Sequence, residues 1–332
     1  MTAHDRADET RRESWTGYWK TGALHSLAGS FEGNYGGEIR GFWEGVFAPL
    51  TVTDRILDVG TGNGPLPALL TELKGEALPA VDAVDIASVG PEWHHGLPPA
   101  LRDRIRFHGG CAVEDLACFD DGRFNLVASQ YGLEYSNLPL ALAELARLTS
   151  AGGRLALVLH HAGSRLSAIA SVEASLIDSL LDADGLLARA AAIHPYVDRV
   201  RQGAGTTLAT DPDAGRVRTR LNEAMQAIDE FQRQTPFAGI ALEARAMVAS
   251  RIHALMRGSI SLEQANLNHE SHAAALADSR FRSIELCSHA LDAQDMARLC
   301  ADLGRVGFRD ARPALLHHGV HLVGWTLEAR RE

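Results

Sequence analysis

The chain has 332 residues, 46% of them hydrophobic, and a formal net charge of −10. An acidic balance argues against a duplex nucleic-acid binder, which needs a basic surface to neutralise phosphates. Met1–Ser14 is polar and no apolar run reaches the roughly 18 residues of a membrane span, so the expectation is a cytoplasmic protein, neither exported nor inserted in a membrane.

Four zones follow in chain order. Residues 1–50 concentrate aromatics: Trp15, Tyr18 and Trp19 at i, i+3, i+4 share a helix face, and Phe31, Tyr35, Phe42 and Trp43 follow. Gly33, Gly36 and Gly37 suggest a turn before a second helix through Ile39, Trp43 and Phe47. Residues 51–163 alternate strand-like runs (Arg55–Val59, Val81–Ile86, Ile105–His108, Asn125–Ser129, Arg154–His160) with helical stretches such as Pro65–Lys74 and Leu138–Thr149. That alternation implies a parallel sheet with helices on both faces. Residues 164–285 read as helix only, with breaks near His194-Pro195, Thr210–Gly215, Thr235-Pro236 and Gly258. The stretch is too long for a loop and is expected to be a helical insertion that caps a substrate pocket; a homodimer interface is the rival reading. Residues 286–332 return to the pattern, with a helix over Asp292–Val306 and a hairpin of Ala311–His317 and His321–Ala329.

The four cysteines, Cys111, Cys118, Cys287 and Cys300, lack CxxC spacing and read as reduced thiols. His317, His318 and His321 fall on the hairpin turn without a carboxylate cluster, so no metal site is expected.

The strongest local signal is Ile56-Leu57-Asp58-Val59-Gly60-Thr61-Gly62-Asn63-Gly64, a buried strand entering a glycine-rich turn with a helix after it. Glycines there let the backbone approach a ligand and take positive φ. The helix start supplies unpaired N–H groups. Asp85, 21 residues after Gly64, ends the next strand, where a carboxylate can accept from both hydroxyls of a ribose. A dinucleotide fingerprint would need a small residue where Pro65 stands, which disfavours that class.

The run D-x-G-x-G-x-G from Asp58 to Gly64 resembles motif I of class I S-adenosylmethionine-dependent methyltransferases. Phe124–Tyr131 is similar to that family's fourth strand. Pro139–Ala151 with Gly152-Gly153 and Arg154–Val158 looks like its next helix, turn and fifth strand, and Glu144 and Arg147 like its E-x-x-R pair. Val113–Leu116 resembles the segment that passes the adenine, and the C-terminal hairpin the reversed seventh strand. Ala112 departs from a common Asp and Ala151 from a common Pro. The zones 1–50 and 164–285 lie outside the resemblance.

The resemblance implies a Rossmann-like, seven-stranded, mostly parallel sheet with an antiparallel last strand, and S-adenosylmethionine as cofactor. Carried over residue by residue, Asp58, Gly60, Gly62 and Asn63 would line the methionine and ribose side. Asp85 would hold the ribose, Ile86, Val113 and Glu114 would flank the adenine, and Gln130 would lie near the sulfonium. Tyr18, His25 and Tyr35 are expected to face the pocket from an N-terminal lid. The [DN]-P-P-[YF] motif is absent after strand four, where the sequence is Ser129-Gln130-Tyr131-Gly132, and neither Cys111 nor Cys118 follows a proline. The acceptor is therefore expected to be a small molecule, methylated at oxygen, with nitrogen, sulfur and carbon left open. Base candidates at the ends of strands four and five are Tyr131, Glu134, Tyr135, His160 and His161; Tyr131 and the two histidines are preferred. A non-catalytic cofactor-binding protein of the same fold is the alternative from another class.

Overall fold

In the computed structural model, which describes residues 3–26, 33–235 and 237–332, five apolar runs form the parallel half of one sheet. They are β1 (Arg55–Val59), β2 (Ala80–Asp85), β3 (Ile105–Gly109), β4 (Phe124–Gln130) and β5 (Thr149–Leu159). Phe31 and Pro236 lie outside the described residues. Helices α1 (Ala3–Trp19) and α2 (Gly37–Phe47) precede the sheet. Its connections hold α3 (Pro65–Lys74), the short α4 (Glu92–His95) and α5 (Pro99–Arg102), and α6 (Leu138–Leu148).

After β5 come α7 (Arg165–Leu181), α8 (Leu186–Arg199), α9 (Gly205–Ala209), α10 (Pro212–Gln234), α11 (Gly239–Met256) and α12 (Leu262–His289). Then α13 (Ala293–Arg305) leads into the hairpin β6 (Phe308–His318) and β7 (His321–Arg331). The sheet order is β3-β2-β1-β4-β5-β7-β6, with β7 antiparallel to both neighbours. This is the Rossmann-like sheet with a reversed last strand that the sequence suggests.

Strand alternation sorts the core into two faces. Leu57, Val59, Val127, Leu155 and Leu157 point to one, against Leu142 and Leu145 of α6 and Met296, Leu299 and Leu303 of α13. Ile56, Leu126, Ala128, Ala156 and Val158 point to the other, against Ile39, Trp43 and Phe47 of α2 and Leu66, Leu69 and Leu70 of α3.

The chain divides into two compact units, Met1–Ser167 with Glu285–Glu332, and Ala168–Ile284. Within the first unit the chain departs and returns at one place. Leu291 donates to the His160 carbonyl at 2.9 Å and accepts from Ala162 N–H at 3.0 Å, and His161 forms a parallel bridge with Leu291. The second unit is helical, with a core of Ile177, Leu187, Ile193, Leu221, Val248, Leu255 and Leu276 among others.

The break expected at His194-Pro195 does not occur, because α8 runs through Pro195. An interior proline costs a helix about 3 kcal/mol. Burial of Ile193, His194 and Val197 on the same helix offsets that cost, and the chain turns only later, where Gly203 takes φ +99°. Gly215 likewise lies inside α10, whose start is set by Asp211 accepting from Asp213 and Ala214 N–H. Among the described residues no helix is long and apolar enough to cross a membrane.

Candidate active site

The glycine turn leaves the C-terminal end of β1 at the centre of the sheet, where a crevice opens because β2 and β4 connect away in opposite directions. Gly60 and Gly62 take φ +67° and +54°. A Cβ on Gly60 would stand 2.9 Å from the Gly132 Cα of the β4 loop, and one on Gly62 would run into the Trp19 indole. Both positions therefore need glycine twice over, for φ and for space.

Two carboxylates flank this turn. Asp85 accepts from Gly62 N–H at 2.7 Å and from Ala87 N–H at 2.8 Å. Asp58 accepts from the Thr61 hydroxyl at 2.6 Å. Burial pushes Asp58 up to about 7, against the Thr61 bond and with help from the Asp85 charge. Burial pushes Asp85 up to about 6, against its two backbone bonds.

Beside them lies a cavity that opens to solvent and is walled by the glycine turn, the ends of β2 and β4 and the N-terminal segment. Gly60, Thr61 and Pro65 line its glycine-turn end, with Asp85 and Ile86 from β2. Val113 and Glu114 line the far end, and Gln130, Tyr131 and Gly132 the β4 wall. The far end is pinned from beneath: Glu144 accepts from Leu116 N–H at 3.0 Å, and Arg147 donates to the Leu116 and Phe119 carbonyls. The E-x-x-R pair thus holds the loop that carries Val113 and Glu114.

The N-terminal segment closes the remaining side. Trp15, Trp19, His25 and Tyr35 all line the cavity, and Tyr35 is buried with its ring stacked on His25 at 4.7 Å. Tyr18 is not in the lining; its hydroxyl donates to the His25 carbonyl at 3.0 Å. Asn63 is likewise not in the lining, its buried amide donating to the carbonyls of Trp19 (2.9 Å) and Ala23 (2.8 Å), which ties the end of α1 to the glycine turn. Asp58 and Gly62 support the turn from just behind the lining. Residues that sequence reasoning missed are Asp8 and Arg11, which also line the cavity. Arg11 pairs there with Asp8 (3.0 Å) and Glu285 (2.5 Å), and no motif marks it.

Two buried donors in the lining have no hydrogen-bond partner among the described residues, Trp19 Nε1 and Gln130 Nε2. Gln130 is held by its other end, since Oε1 accepts from Trp43 Nε1 at 2.5 Å. Buried donors are normally satisfied, so each is free to donate to a water or to an acceptor group in the cavity.

At the ends of β4 and β5 the three residues read as catalytic part company. Tyr131 lines the cavity, but its hydroxyl donates to the Val323 carbonyl at 3.1 Å. His160 lies behind it, 2% exposed, and burial pushes its imidazole down to about 3. His161 is outside the lining, its ring stacked on Trp325 at 4.8 Å and its Nδ1 accepting from Gly163 N–H. Glu134 accepts from His160 N–H at 2.8 Å, and burial pushes it up to about 7. Among the described residues no group of three His, Cys, Asp or Glu is arranged to hold a metal, and all four cysteines are free thiols.

No protein-family model and no curated protein sequence matches the chain. Solved structures do match part of it. The 1,6-didemethyltoxoflavin-N1-methyltransferase of Burkholderia thailandensis, solved with 1,6-didemethyltoxoflavin and S-adenosylhomocysteine, is 21% identical over 48% of this chain and 65% of its own, with a TM-score of 0.38. The geranyl diphosphate C-methyltransferase of Streptomyces coelicolor A3(2) is 18% identical over 45% and 66%, with a TM-score of 0.36. The [4+2]-cyclase SpnF is 14% identical over 47% and 60%, with a TM-score of 0.37. The matched region spans between 52% and 66% of the length of the first such structures.

Proposed function

We propose that the chain is an S-adenosylmethionine-dependent methyltransferase that methylates a small-molecule acceptor at oxygen in the cytoplasm. One observation carries the reading: Asp85, fixed by Gly62 and Ala87 N–H, stands at the junction of the glycine turn and a cavity that continues to Val113 and Glu114. A nucleoside laid along that line would place its ribose hydroxyls on Asp85 and its base between Ile86 and Val113. Its amino-acid end would then meet the glycine turn and the unpaired donors Trp19 Nε1 and Gln130 Nε2. The aromatic faces of Trp15, Trp19, Tyr35 and Tyr131 suit a sulfonium, since a cation is attracted to ring faces. Bound there, the cofactor would supply an activated methyl group.

The chain's own work is alignment and exclusion of water, which can supply much of the rate of an in-line displacement. Tyr131 would form the wall against which the acceptor is oriented. His160 and His161 would have to act from outside the cavity lining, and so would Glu134, whose carboxyl sits on the His160 N–H. The helical unit Ala168–Ile284 is proposed to choose the acceptor, as a cap.

The test is calorimetric titration of S-adenosylhomocysteine and NADH into wild type and Asp85→Ala. Only the homocysteine nucleoside should bind, and the substitution should weaken it about 100-fold, the worth of two charge-assisted hydrogen bonds. Binding of NADH alone would overturn the reading. Binding without methyl transfer to any of a panel of phenols and alcohols would favour the non-catalytic alternative.

A further inference from the structure

The helical unit contains a basic cluster with no counterpart in the cofactor cleft. Arg251 on α11 is 6% exposed, and its guanidinium donates to Nδ1 of His272 at 3.1 Å and to Nδ1 of His269 at 3.3 Å, both on α12. His194 on α8 is fully buried and stands 5.9 Å, ring to ring, from His269. Its Nδ1 bonds with Asn266 Oδ1 at 2.9 Å, while its Nε2 has no partner among the described residues.

The charges that act on the histidines of the cluster come from Arg251 and from the other histidines. Among the described residues no carboxylate pairs with Arg251. Asp198, one turn beyond His194, gives Oδ1 to Arg201 and Oδ2 to Gln202. Other arginines of the same unit are paired: Arg189 with Asp184, Arg245 with Asp229, and Arg280 with Asp178. Burial lowers the histidines, with the Arg251 charge adding to the effect, so they stand neutral and the guanidinium carries the charge of the cluster. A guanidinium stays charged at any pH a protein survives, and burying it without a counter-ion is costly. Histidine nitrogens accept its N–H bonds but do not neutralise it.

We propose that Arg251, with His269 and His272 beside it, binds the anionic group of a small-molecule ligand, a carboxylate or a phosphate, between α8, α11 and α12. The guanidinium fork matches two oxygens of either group. Each neutral imidazole can offer an N–H once it no longer accepts from Arg251, because tautomers exchange without a net proton. The site is independent of the cofactor reading.

The test uses the full chain without cofactor, titrated calorimetrically and melted in sodium phosphate and, separately, sodium citrate, each against chloride at matched ionic strength. At least one anion should bind saturably and raise the melting temperature, as any ligand selective for the folded state does. Arg251→Gln should weaken that binding about tenfold or more, while S-adenosylhomocysteine affinity stays that of wild type. Arg251→Met, which removes the uncompensated charge, should melt no lower than wild type in chloride and lose the anion-induced rise. A response to phosphate alone assigns a phosphate ester, and one to citrate alone a carboxylic acid. No saturable binding of either anion, or unchanged binding by Arg251→Gln, overturns the proposal. So does an Arg251→Met protein that melts lower and still gains from the anion.

Discussion

The ring of Tyr131 lies on the imidazole of His160 at 4.2 Å between centroids and 10° from parallel. Tyr131 holds this position with φ +53°, a left-handed backbone that a bulky residue adopts only under constraint. The constraint is visible: its hydroxyl is bonded to the Val323 carbonyl and its N–H to the Val158 carbonyl. Strain at the end of β4 is thus held by β5 and β7, in the wall where an acceptor would sit.

Tyr131→Phe should cost about 1 kcal/mol of stability, the worth of one buried hydrogen bond, and keep the stacked pair. If Tyr131 acts as a wall, kcat for methyl transfer should fall less than about fivefold, well short of the 10²–10⁴ that a lost general acid or base costs. A fall of a thousandfold would make the hydroxyl itself chemical.

The raised carboxylates give two opposite pH trends. Asp58 at about 7 and Asp85 at about 6 both hold a proton more tightly folded than unfolded, where an aspartate titrates near about 4. Their contribution to stability is therefore full below about pH 4 and is lost as pH rises through 6 and 7. Thermal melts of the cofactor-free protein should show that decline, flattened in Asp58→Asn. Cofactor affinity should run the other way, because ribose hydroxyls donate best to ionised Asp85. S-adenosylhomocysteine should bind about tenfold more weakly near pH 5 than near pH 7.5, one pH unit below the Asp85 midpoint costing about a factor of ten. A flat calorimetric profile would count against Asp85 as the ribose ligand.

Gly62→Ala places a methyl group where the Trp19 indole lies, at φ +54°. A loss of roughly 1–3 kcal/mol in denaturant titrations is expected from strained backbone and crowding together. Adding Trp19→Ala should return the crowding part and leave the φ part, so the double-mutant cycle should show coupling well above additivity.

Gln130→Leu would leave Trp43 Nε1 buried without an acceptor, at a cost of about 1–3 kcal/mol. Gln130→Glu keeps that acceptor and removes the unpaired Nε2 donor. Chemical denaturation should rank wild type above Gln130→Glu above Gln130→Leu if the Trp43 bond dominates; reversal of the two variants would show that the new buried charge dominates.

The sheet was legible because its central strands, buried on both faces, are short apolar runs between helical stretches, and because its central turn needs glycine at φ-positive positions, two rules that act locally. Asp85 was legible for the same reason, as the end of the next strand. What α1 does was not. The spacing of Trp15 and Trp19 shows that they share a face, but not that Trp19 lies against Gly62 or that Arg11 reaches Glu285, 274 positions away. Adjacent His160 and His161 could not be told apart by type either. Strand alternation sends them to opposite sides, one onto Tyr131 and the other onto Trp325. The continuity of α8 through Pro195 was hidden because local propensity there is overruled by burial.

The clasp at His160–Ala162 and Leu291 has a consequence for how such a chain can change. A segment of 117 residues, Ala168–Ile284, leaves and re-enters the sheet unit at points already bonded to each other, Cys287 Sγ lying 3.6 Å from the Ser167 carbonyl. The ends need no span to bridge, so a short linker in place of the helices closes a smaller loop at little entropic cost. The sheet unit can therefore keep its glycine turn at Gly60 and its own core while the helical segment is lengthened, shortened or replaced.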